Sequence, residues 1–361
     1  MSARLDRQQA FSGTREVPAE LAFDPKLLQD FLARTIPGFA GPMSVRQFKG
    51  GQSNPTYLIG TPDRRYVIRR KPPGELLPSA HAVDREFRVI AALAERGFPV
   101  PRPMIYSEDA SIVGTAFYVM DFVEGRVFWD PAMPDAEPAE RTAVYDSMNE
   151  TLATLHAFEP ERLGLQGLGR PGNYIGRQVR RWSESYAASR SEELPEMDRL
   201  MAWLPDNLPP ERPARLVHGD FRLDNMIVAP DRPQVVAVLD WELATLGDSI
   251  ADAVYHFMTW VMPQSEVGSG TGSLAGLDLD ALGIPSLDRY AATYARRSGL
   301  VEIPHLATYL AYNLFRLAAI LQGIAGRARA GNAASPHAAH IAAQVGPLAR
   351  AGWAFAQRGG L

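Results

Sequence analysis

Two acidic residues and one amide lie close together near the middle of the sequence. Asp220 and Asn225 are five residues apart in a polar stretch between apolar runs, and Asp240 ends the next apolar run. Phosphoryl transfer to an alcohol needs a carboxylate that orients the hydroxyl, oxygen ligands for Mg²⁺ and positive charge near the phosphates. Asp220 fits the first role, as catalytic base, and Asn225 and Asp240 fit the second, as metal ligands. The spacing therefore predicts a phosphoryl-transfer site, and a polar hairpin loop is the alternative interpretation.

The positive charge is predicted on a strand-like run at residues 66–70. Arg69 is placed there to bind phosphate as a catalytic and nucleotide-binding cation, and Glu86 on the following helix is its expected ion-pair partner. Lys71 points the same way by strand alternation and is the competing candidate, but it stands against Pro72 at the strand end. An exposed strand arginine without a role is the alternative. We predict that Arg69 is the cation.

Two further segments are candidates for nucleotide contact. The first is the loop between the first two strand-like runs, where residues without Cβ let the backbone approach phosphate oxygens. A hairpin with a glycine bulge is the alternative there. The second is the apolar run 117–123, which is typical of a core strand that continues into a hinge beside adenine. The candidate contacts are Gly50, Gly51, Ser53, Asn54, Met120 and Phe122.

Several neighbouring polar residues have structural interpretations. His218 is predicted to brace the catalytic loop by hydrogen bonding, because no second His and no Cys stands near it in the sequence. Asp252 is predicted to be a buried brace, and Asp248 a helix N-cap. For Arg222 two interpretations stay open, contact with an anionic substrate and simple solvation. Glu242 is open between assisting the metal and only lying close to it.

The hydrophobic pattern predicts which elements position these residues. Alternation predicts short antiparallel strands at 44–48, 56–59, 66–70, 104–106 and 117–122. Helical spacing predicts one helix at 81–96, closed by Gly97, and a short one at 25–33. Further helices are predicted at 142–158, 176–190, 248–261, 287–298 and 305–329. The fold class is therefore α+β, with a small five-stranded lobe followed by a larger, mainly helical lobe.

Composition excludes several classes of function. The 361 residues carry a net charge of −4, which gives no general attraction to nucleic acid. There is no cysteine, so disulfides and thiolate chemistry are excluded. No apolar run is long enough to span a membrane, and the N-terminus lacks the apolar core of a signal peptide. We therefore expect a cytoplasmic protein with a small-molecule substrate and neither nucleic-acid nor membrane partners.

The motifs His218-Gly-Asp-x₄-Asn225 and Asp240-Trp-Glu resemble those of the aminoglycoside phosphotransferase and choline kinase group, a branch of the protein-kinase-like fold. The similarity covers about residues 40–330. Segments at 50–57, 69–74, 79–86 and 173–178 more narrowly resemble the phosphotransferase domain attached to some acyl-CoA dehydrogenases. The resemblance implies a lead-in at 1–40, a nucleotide-binding N-lobe at 41–123, and a C-lobe at 124–361 that holds the catalytic loop, metal site and acceptor site.

The resemblance also implies ATP and Mg²⁺ as cofactors and an alcohol as acceptor. The subgroup implies a hydroxyacyl-CoA, in the catabolism of hydroxylated acids. Arginines on two groups of helices favour an anionic acceptor of this kind; they stand at 177, 180, 181, 316, 327 and 329. An aminoglycoside, amino alcohol or sugar kinase and a nucleotide-binding pseudokinase are the alternatives. The sequence leaves open ATP versus GTP, the oligomeric state, and whether 262–286 forms a lid.

Overall fold

The computed structural model describes residues 7–50, 54–74, 81–170, 172–264, 272–329 and 338–359. The first part of the chain forms a sheet with a few helices, and the second part is mainly helical. The elements of the first part are α1 (Arg7–Phe11), β1 (Thr14–Arg15), α2 (Pro25–Thr35), β2 (Ser44–Phe48), β3 (Thr56–Gly60), β4 (Arg65–Arg70), α3 (Val83–Ala94), β5 (Pro103–Ser107), α4 (Ala110–Val113) and β6 (Phe117–Asp121).

The sheet has six antiparallel strands in the order β1-β2-β3-β4-β6-β5. Side chains alternate between its two faces, as the pleat of a strand requires. On β4, Tyr66 and Ile68 pack with α2 and α4, whereas Val67 belongs to the core on the α3 side. Arg69 follows Val67 by two residues and so lies on that second face. The alternation of β4 thus directs one arginine away from the α2 core and toward the candidate site.

The second part of the chain packs around the long helix α11. Its elements are α5 (Pro138–Ala157), α6 (Tyr174–Ser189), α7 (Pro195–Trp203), β7 (Arg215–Val217), β8 (Met226–Val228), β9 (Val235–Val238), β10 (Thr245–Gly247), α8 (Ser249–Phe257), α9 (Leu279–Leu282), α10 (Leu287–Arg297), α11 (Leu306–Arg329) and α12 (Ala338–Gly359). Helices α6, α8 and α12 all contact α11. Two short antiparallel strand pairs, β7 with β10 and β8 with β9, flank the polar stretch at 218–225.

The connection between the two parts follows β6 and passes close to β8. The backbone N–H of Arg126 donates to the carbonyl of Val228 at 2.8 Å, and the reverse bond is 2.9 Å. A Cβ on Gly125 would lie 2.4 Å from that same carbonyl oxygen, which is closer than a carbon atom can approach. Glycine is therefore required here, because the connection runs directly against β8 in the second part of the chain.

The predicted α+β class agrees with this architecture, with one correction and several omissions. All five predicted strands form, but the sheet has a sixth strand, β1, in the segment that we expected to be a lead-in. Helix α2, also in that segment, packs on the sheet. The predicted helices form with shifted ends, whereas the long helix α12 and the shorter helices α1, α4, α7 and α9 were not predicted. None of the described helices is long and apolar enough to cross a membrane.

Candidate active site

One cavity of about 1430 Å³ lies between the sheet and the helices. Its volume exceeds the roughly 300–1,000 Å³ that is usual for a pocket holding one small ligand. Val67 and Met120 of the sheet, Asn225 and Asp240 near β8 and β9, and residues of α11 and α12 all line it. The cavity therefore has room for two ligands, with Asn225 and Asp240 on its wall.

One buried carboxylate holds the loop that carries His218, Gly219 and Asp220, the predicted catalytic loop. Asp252 on α8 accepts hydrogen bonds from the backbone N–H groups of His218 at 2.9 Å and Gly219 at 2.8 Å. It also contacts the Nε2 of His156 at 3.1 Å. Burial raises the pKa of Asp252, but the hydrogen bond and charge of His156 and the hydrogen bond from the His218 backbone outweigh it, and the net pKa is lowered. Asp252 therefore has the bracing position that its sequence context predicts.

His218 has a bracing position as well. Its Nε2 lies 2.8 Å from the carbonyl oxygen of Leu239, and its Nδ1 accepts the backbone N–H of Asp220 at 3.2 Å. A carbonyl can only accept a hydrogen bond, so the proton is on Nε2 and the ring is neutral. The Leu239 N–H donates to the carbonyl of Asn225 at 2.8 Å. These bonds hold the Asp220 loop beside the residue that precedes Asp240.

The carboxylate of Asp220 is surrounded by donors. Tyr255 donates its hydroxyl to Oδ1 at 2.8 Å, and Asn225 donates its amide to Oδ2 at 3.0 Å. Arg222 donates to Oδ2 at 3.2 Å, and its Nε lies 2.9 Å from Oδ1 as an ion pair rather than a hydrogen bond. Asn225 lines the cavity, whereas Asp220 is absent from the described lining and lies one contact behind it. An acceptor hydroxyl therefore competes with Arg222 for this carboxylate.

Arg69 connects the sheet to the second part of the chain, which carries Asp240. Its Nε donates to Glu86 at 2.9 Å, and its Nη2 donates to Asp240 at 2.5 Å. The side chain of Arg69 is 7% exposed and that of Glu86 only 1%. Burial lowers the pKa of Arg69, but attraction to Glu86 and Asp240 outweighs it and the net pKa is raised. Burial also raises the pKa of Glu86, an effect that Arg69 opposes.

The predicted pair of Arg69 and Glu86 is thus formed in the structure, and both residues line the cavity. Lys71, the competing cation, lies just beyond the end of β4. It is absent from the described lining of the cavity, and the hydroxyl of Thr115 donates to its carbonyl. Of the two candidates, only Arg69 has a position from which it can meet a ligand in this cavity.

Asp240 has an unusual backbone conformation. It follows β9 with φ 63° and ψ 59°. These angles lie in the left-handed region, which residues other than glycine seldom adopt. Such conformations persist only where surrounding contacts enforce them, and they concentrate at functional sites. Here the turn leaves the Asp240 side chain on the cavity wall, 27% exposed and held by Arg69.

Asn225 and Asp240 fit a magnesium ion that is completed by phosphates. The amide nitrogen of Asn225 is bonded to the backbone and side chain of Asp220, which leaves its oxygen as the group available for a cation. Among the described residues, no group of three or more His, Cys, Asp or Glu side chains could hold a metal. Mg²⁺ usually takes one or two protein carboxylates and fills its other positions with water and phosphate oxygens. The donor set therefore suits a nucleotide-bound ion better than a permanently held one.

The predicted phosphate loop is only partly described. Gly50 lines the cavity, and a Cβ there would lie 2.6 Å from the ring of Trp129. Gly51 and Ser53 lie outside the described residues. Asn54 differs from the prediction because its side chain is fully buried: its amide donates to Glu242 at 3.2 Å, and its oxygen lies 2.9 Å from Nδ1 of His81. Its side chain is engaged with protein partners, so we assign it a positioning role.

The remaining predicted residues also have defined places. Met120 and Phe122 both line the cavity on the sheet side, as the prediction of a hinge beside adenine requires. Glu242 lies 3.7 Å from Nη2 of Arg69, beside the metal-binding position rather than on the cavity wall. Asp248 accepts the backbone N–H groups of Ile250 and Ala251 and therefore caps α8 as predicted.

Of the six arginines that were expected to attract an anionic acceptor, the five whose side chains the structure describes are not at the cavity. Arg177, Arg180, Arg181, Arg316 and Arg327 are all absent from its described lining. Arg316 is buried and donates to the carbonyl of Gly219 at 3.0 Å, so it supports the catalytic loop instead. Helical periodicity could not show this, because it does not identify the neighbour that each helix face meets.

Two functional neighbours were missed by sequence reasoning. Tyr255 donates to Asp220, and its only signal was a place on the helix that carries Asp252, three residues further along. Arg7 lies in the expected lead-in, lines the cavity and contacts Asp224 at 3.4 Å. No sequence pattern linked Arg7 to a residue more than two hundred positions away. Asp224 in turn lies 3.5 Å from Arg222, so the alternating charges of these residues and Asp220 form one cluster beside the cavity.

Comparison with known proteins matches this geometry. Residues 44–300 match a family model described as the phosphotransferase enzyme family, APH. The chain belongs to this phosphotransferase family. Its structural neighbours are small-molecule kinases, so the phosphotransferase has the kinase-like α+β fold and the enzyme class that the sequence motifs predicted.

The phosphotransferase has relatives among much longer proteins. It is 44% identical over 352 residues to acyl-CoA dehydrogenase family member 11 of Gallus gallus, covering 96% of this chain and 45% of that protein. It is 42% identical over 351 residues to acyl-CoA dehydrogenase family member 10 of Mus musculus, covering 96% of this chain and 32% of that protein. The chain therefore spans less than half the length of these curated relatives.

Solved structures share the fold of the phosphotransferase. A crystal structure from Ralstonia eutropha JMP134, provisionally described as an aminoglycoside phosphotransferase, has a TM-score of 0.84 at 44% identity and covers 93% of this chain and 99% of that one. Choline kinase from Cryptosporidium parvum Iowa II has a TM-score of 0.58 at 10% identity, covering 93% of this chain and 95% of that one. At that identity the second likeness concerns the fold alone.

Proposed function

We propose that this protein transfers the γ-phosphoryl group of ATP to the hydroxyl of a hydroxyacyl-CoA, with Mg²⁺ as the cofactor ion. The observation that carries the proposal is the convergence of Asn225, Asp240 and Arg69 on one cavity, with Asp220 bonded to Asn225. This is the set of groups that phosphoryl transfer needs, and general principles assign a role to each.

The proposed roles follow from the contacts. Arg69 provides positive charge at the nucleotide end, where Gly50, Met120 and Phe122 are the proposed nucleotide contacts. Asn225 and Asp240 would hold Mg²⁺, which neutralises phosphate charge when it is bound. Asp220 orients the acceptor hydroxyl and receives its proton.

The position of Asp220 adds a requirement to this mechanism. Tyr255 and Asn225 can keep their bonds to the carboxylate during the reaction, because each binds a different oxygen. Arg222 contacts both oxygens and so competes with an acceptor hydroxyl for them. We expect the acceptor to weaken these contacts, and the Asp224 carboxylate, which lies 3.5 Å from Arg222, can keep its guanidinium paired.

Two observations support a CoA thioester over a polycationic acceptor. Helices α11 and α12, which form part of the cavity wall, contain no Asp or Glu. A polycation such as an aminoglycoside would need carboxylates there, because an unpaired charge is costly to remove from water. The relatives are also named acyl-CoA dehydrogenases. A phosphotransferase related to part of those proteins could convert the hydroxyl of an acyl-CoA into a better leaving group.

A panel of acceptors tests the proposal directly. The purified protein is incubated with Mg·ATP and, in separate reactions, with hydroxyacyl-CoAs that carry the hydroxyl at successive carbons, the matching free acids, and aminoglycosides. Mass spectrometry then identifies any phosphorylated product. We expect a phosphate on one or more CoA thioesters, and loss of that product in the Asp220→Asn variant.

Other outcomes would overturn specific parts of the proposal. A phosphate found only on an aminoglycoside, sugar or amino alcohol would overturn the acceptor. Nucleotide binding without transfer to any acceptor would favour a pseudokinase. Undiminished turnover in Asp220→Asn would contradict the assignment of the base. Parallel assays with GTP decide which nucleotide is preferred.

A further inference from the structure

The end of the cavity that α11 and α12 line is mostly apolar. Its wall is formed by Leu317 and Leu321 on α11, Pro347 and Leu348 on α12, and Met262 in the segment after α8. This end is continuous with the part of the cavity lined by Asn225 and Asp240. A ligand that places its hydroxyl near those residues can therefore extend its remaining atoms along this wall.

The composition of the wall indicates what those atoms are. Neither helix contains an acidic residue, and the polar side chains that reach the cavity from α12 are Gln344 and His340. An apolar wall favours hydrocarbon, because burying hydrocarbon removes it from water without leaving a polar group unpaired. A sugar or polyamine would lose hydrogen bonds in the same place.

One helix feature shows that this part of the wall is not simply a packed core. Pro347 lies inside α12 and has no N–H to donate to the carbonyl of Ala343, four residues earlier. Both residues line the cavity. Proline is costly within a helix, and here it lies in the part of α12 that lines the cavity.

We propose that this apolar end is the subsite for the hydrocarbon chain of the acceptor, and that the wall formed by α11 and α12 determines the chain length that the enzyme prefers. The proposal rests on the proposed function, since it gives the acyl portion of the substrate a place. Each methylene group that enters the subsite should raise kcat/KM about fourfold until the wall is reached.

Two substitutions change the subsite in opposite directions. Ala343 is exposed on the cavity wall, so Ala343→Leu shortens the subsite without disturbing a buried contact. Leu321 is partly buried, and Leu321→Ala lengthens the subsite. Ala354→Leu is the matched control, because Ala354 is exposed on the same helix and absent from the described lining of the cavity.

The assay measures kcat/KM over a series from hydroxybutanoyl-CoA to hydroxydecanoyl-CoA. We expect Ala343→Leu to lower kcat/KM for the long substrates at least tenfold and to leave the shortest unchanged. Leu321→Ala should shift the optimum toward longer chains, and Ala354→Leu should match the wild type. An equal change across the series in both cavity variants, or the same shift in Ala354→Leu, would overturn the subsite.

A binding measurement separates failure of the subsite from failure of the proposed function. Calorimetric titration with butanoyl-CoA and decanoyl-CoA, which carry no hydroxyl, reports on the subsite without turnover. If no hydroxyacyl-CoA is phosphorylated but decanoyl-CoA binds more tightly than butanoyl-CoA, and Ala343→Leu removes that difference, the subsite stands and the reaction is wrong. Equal affinity for the two in the wild type would refute the subsite even if phosphorylation occurs.

Discussion

Replacing Arg69 by methionine removes the positive charge that pairs with Glu86 and Asp240, while keeping a side chain of similar length. Asp240 is 27% exposed and can be solvated, but Glu86 is 1% exposed and is left buried without its cation. A lone buried charge typically costs about 3–5 kcal/mol. Glu86 can avoid part of that cost by binding a proton. From its ordinary pKa of 4.5, protonation at pH 7 costs at most about 3.4 kcal/mol.

The stability lost in Arg69→Met therefore depends on pH, and the direction of this dependence follows from the pKa of Glu86. In Arg69→Met, burial raises the pKa of Glu86 in the folded state above its value in the unfolded state, and Arg69 no longer opposes the shift. The folded state then binds more protons, so its stability is greatest below pH 4.5 and falls as the pH rises, by about 1.4 kcal/mol per unit. The loss relative to wild type should therefore be up to about 2.7 kcal/mol larger at pH 7 than at pH 5.

Urea unfolding at pH 5, 6 and 7 measures this difference in the free energy of unfolding. The double variant Arg69→Met/Glu86→Gln is the control, since a neutral side chain at position 86 removes the titration. It should recover most of the stability lost at pH 7 while remaining inactive. An equal loss of stability at pH 5 and pH 7 in the single variant would refute the reasoning, because a buried Glu86 could not then be the origin of the cost.

Three further predictions concern the catalytic loop and the helix beneath it. Tyr255→Phe removes the 2.8 Å hydrogen bond to Asp220, and since bonds to charged groups contribute about 1.5–3 kcal/mol, kcat should fall roughly tenfold to a hundredfold with little change in the KM for ATP. Gly219→Ala should lower the free energy of unfolding by about 1–3 kcal/mol, because φ is +85° and the new Cβ would lie 2.9 Å from the carbonyl oxygen of Leu243; thermal unfolding measures this. Burial lowers the pKa of His256 to about 4, below its unfolded value of 6.5, so the unfolded state binds more protons and stability falls as the pH drops from 6.5 to 4. In His256→Gln this contribution of roughly 3 kcal/mol should be absent from the difference in unfolding free energy measured at the two pH values.

Much of the fold could be predicted because the relevant signals are local. Five strands follow from alternation, and the helix over α3 follows from apolar spacing and its terminal glycine. Strand β1 could not be predicted, since two residues carry no periodicity and pair only because β2 has a free edge. Helix α12 was missed because Gly346, Pro347 and Gly352 lie inside it and each disfavours a helix. Packing against α11 overrides that propensity.

The residues that carry the chemistry of the site could also be found from local sequence, but the contacts around them could not. Asp220 and Asn225 belong to one loop, and their spacing can be read directly from the sequence. The contacts of Arg222 with Asp220, and of Tyr255 with the same carboxylate, depend on side-chain directions and on a helix thirty-five residues further along. The contact of Arg69 with Asp240 likewise follows from the docking of the sheet on the second part of the chain, which no local pattern encodes.

The buried carboxylate of Asp252 has a consequence for how enzymes of this kind can diversify. It anchors the loop that carries Asp220 to α8, whereas the apolar wall of the cavity belongs to α11 and α12. Mutations that reshape the wall therefore leave the anchoring bonds of the loop intact. A directed-evolution library aimed at new acceptors should vary the cavity-facing positions of those two helices, where most members would retain the catalytic loop, and should leave α8 unchanged.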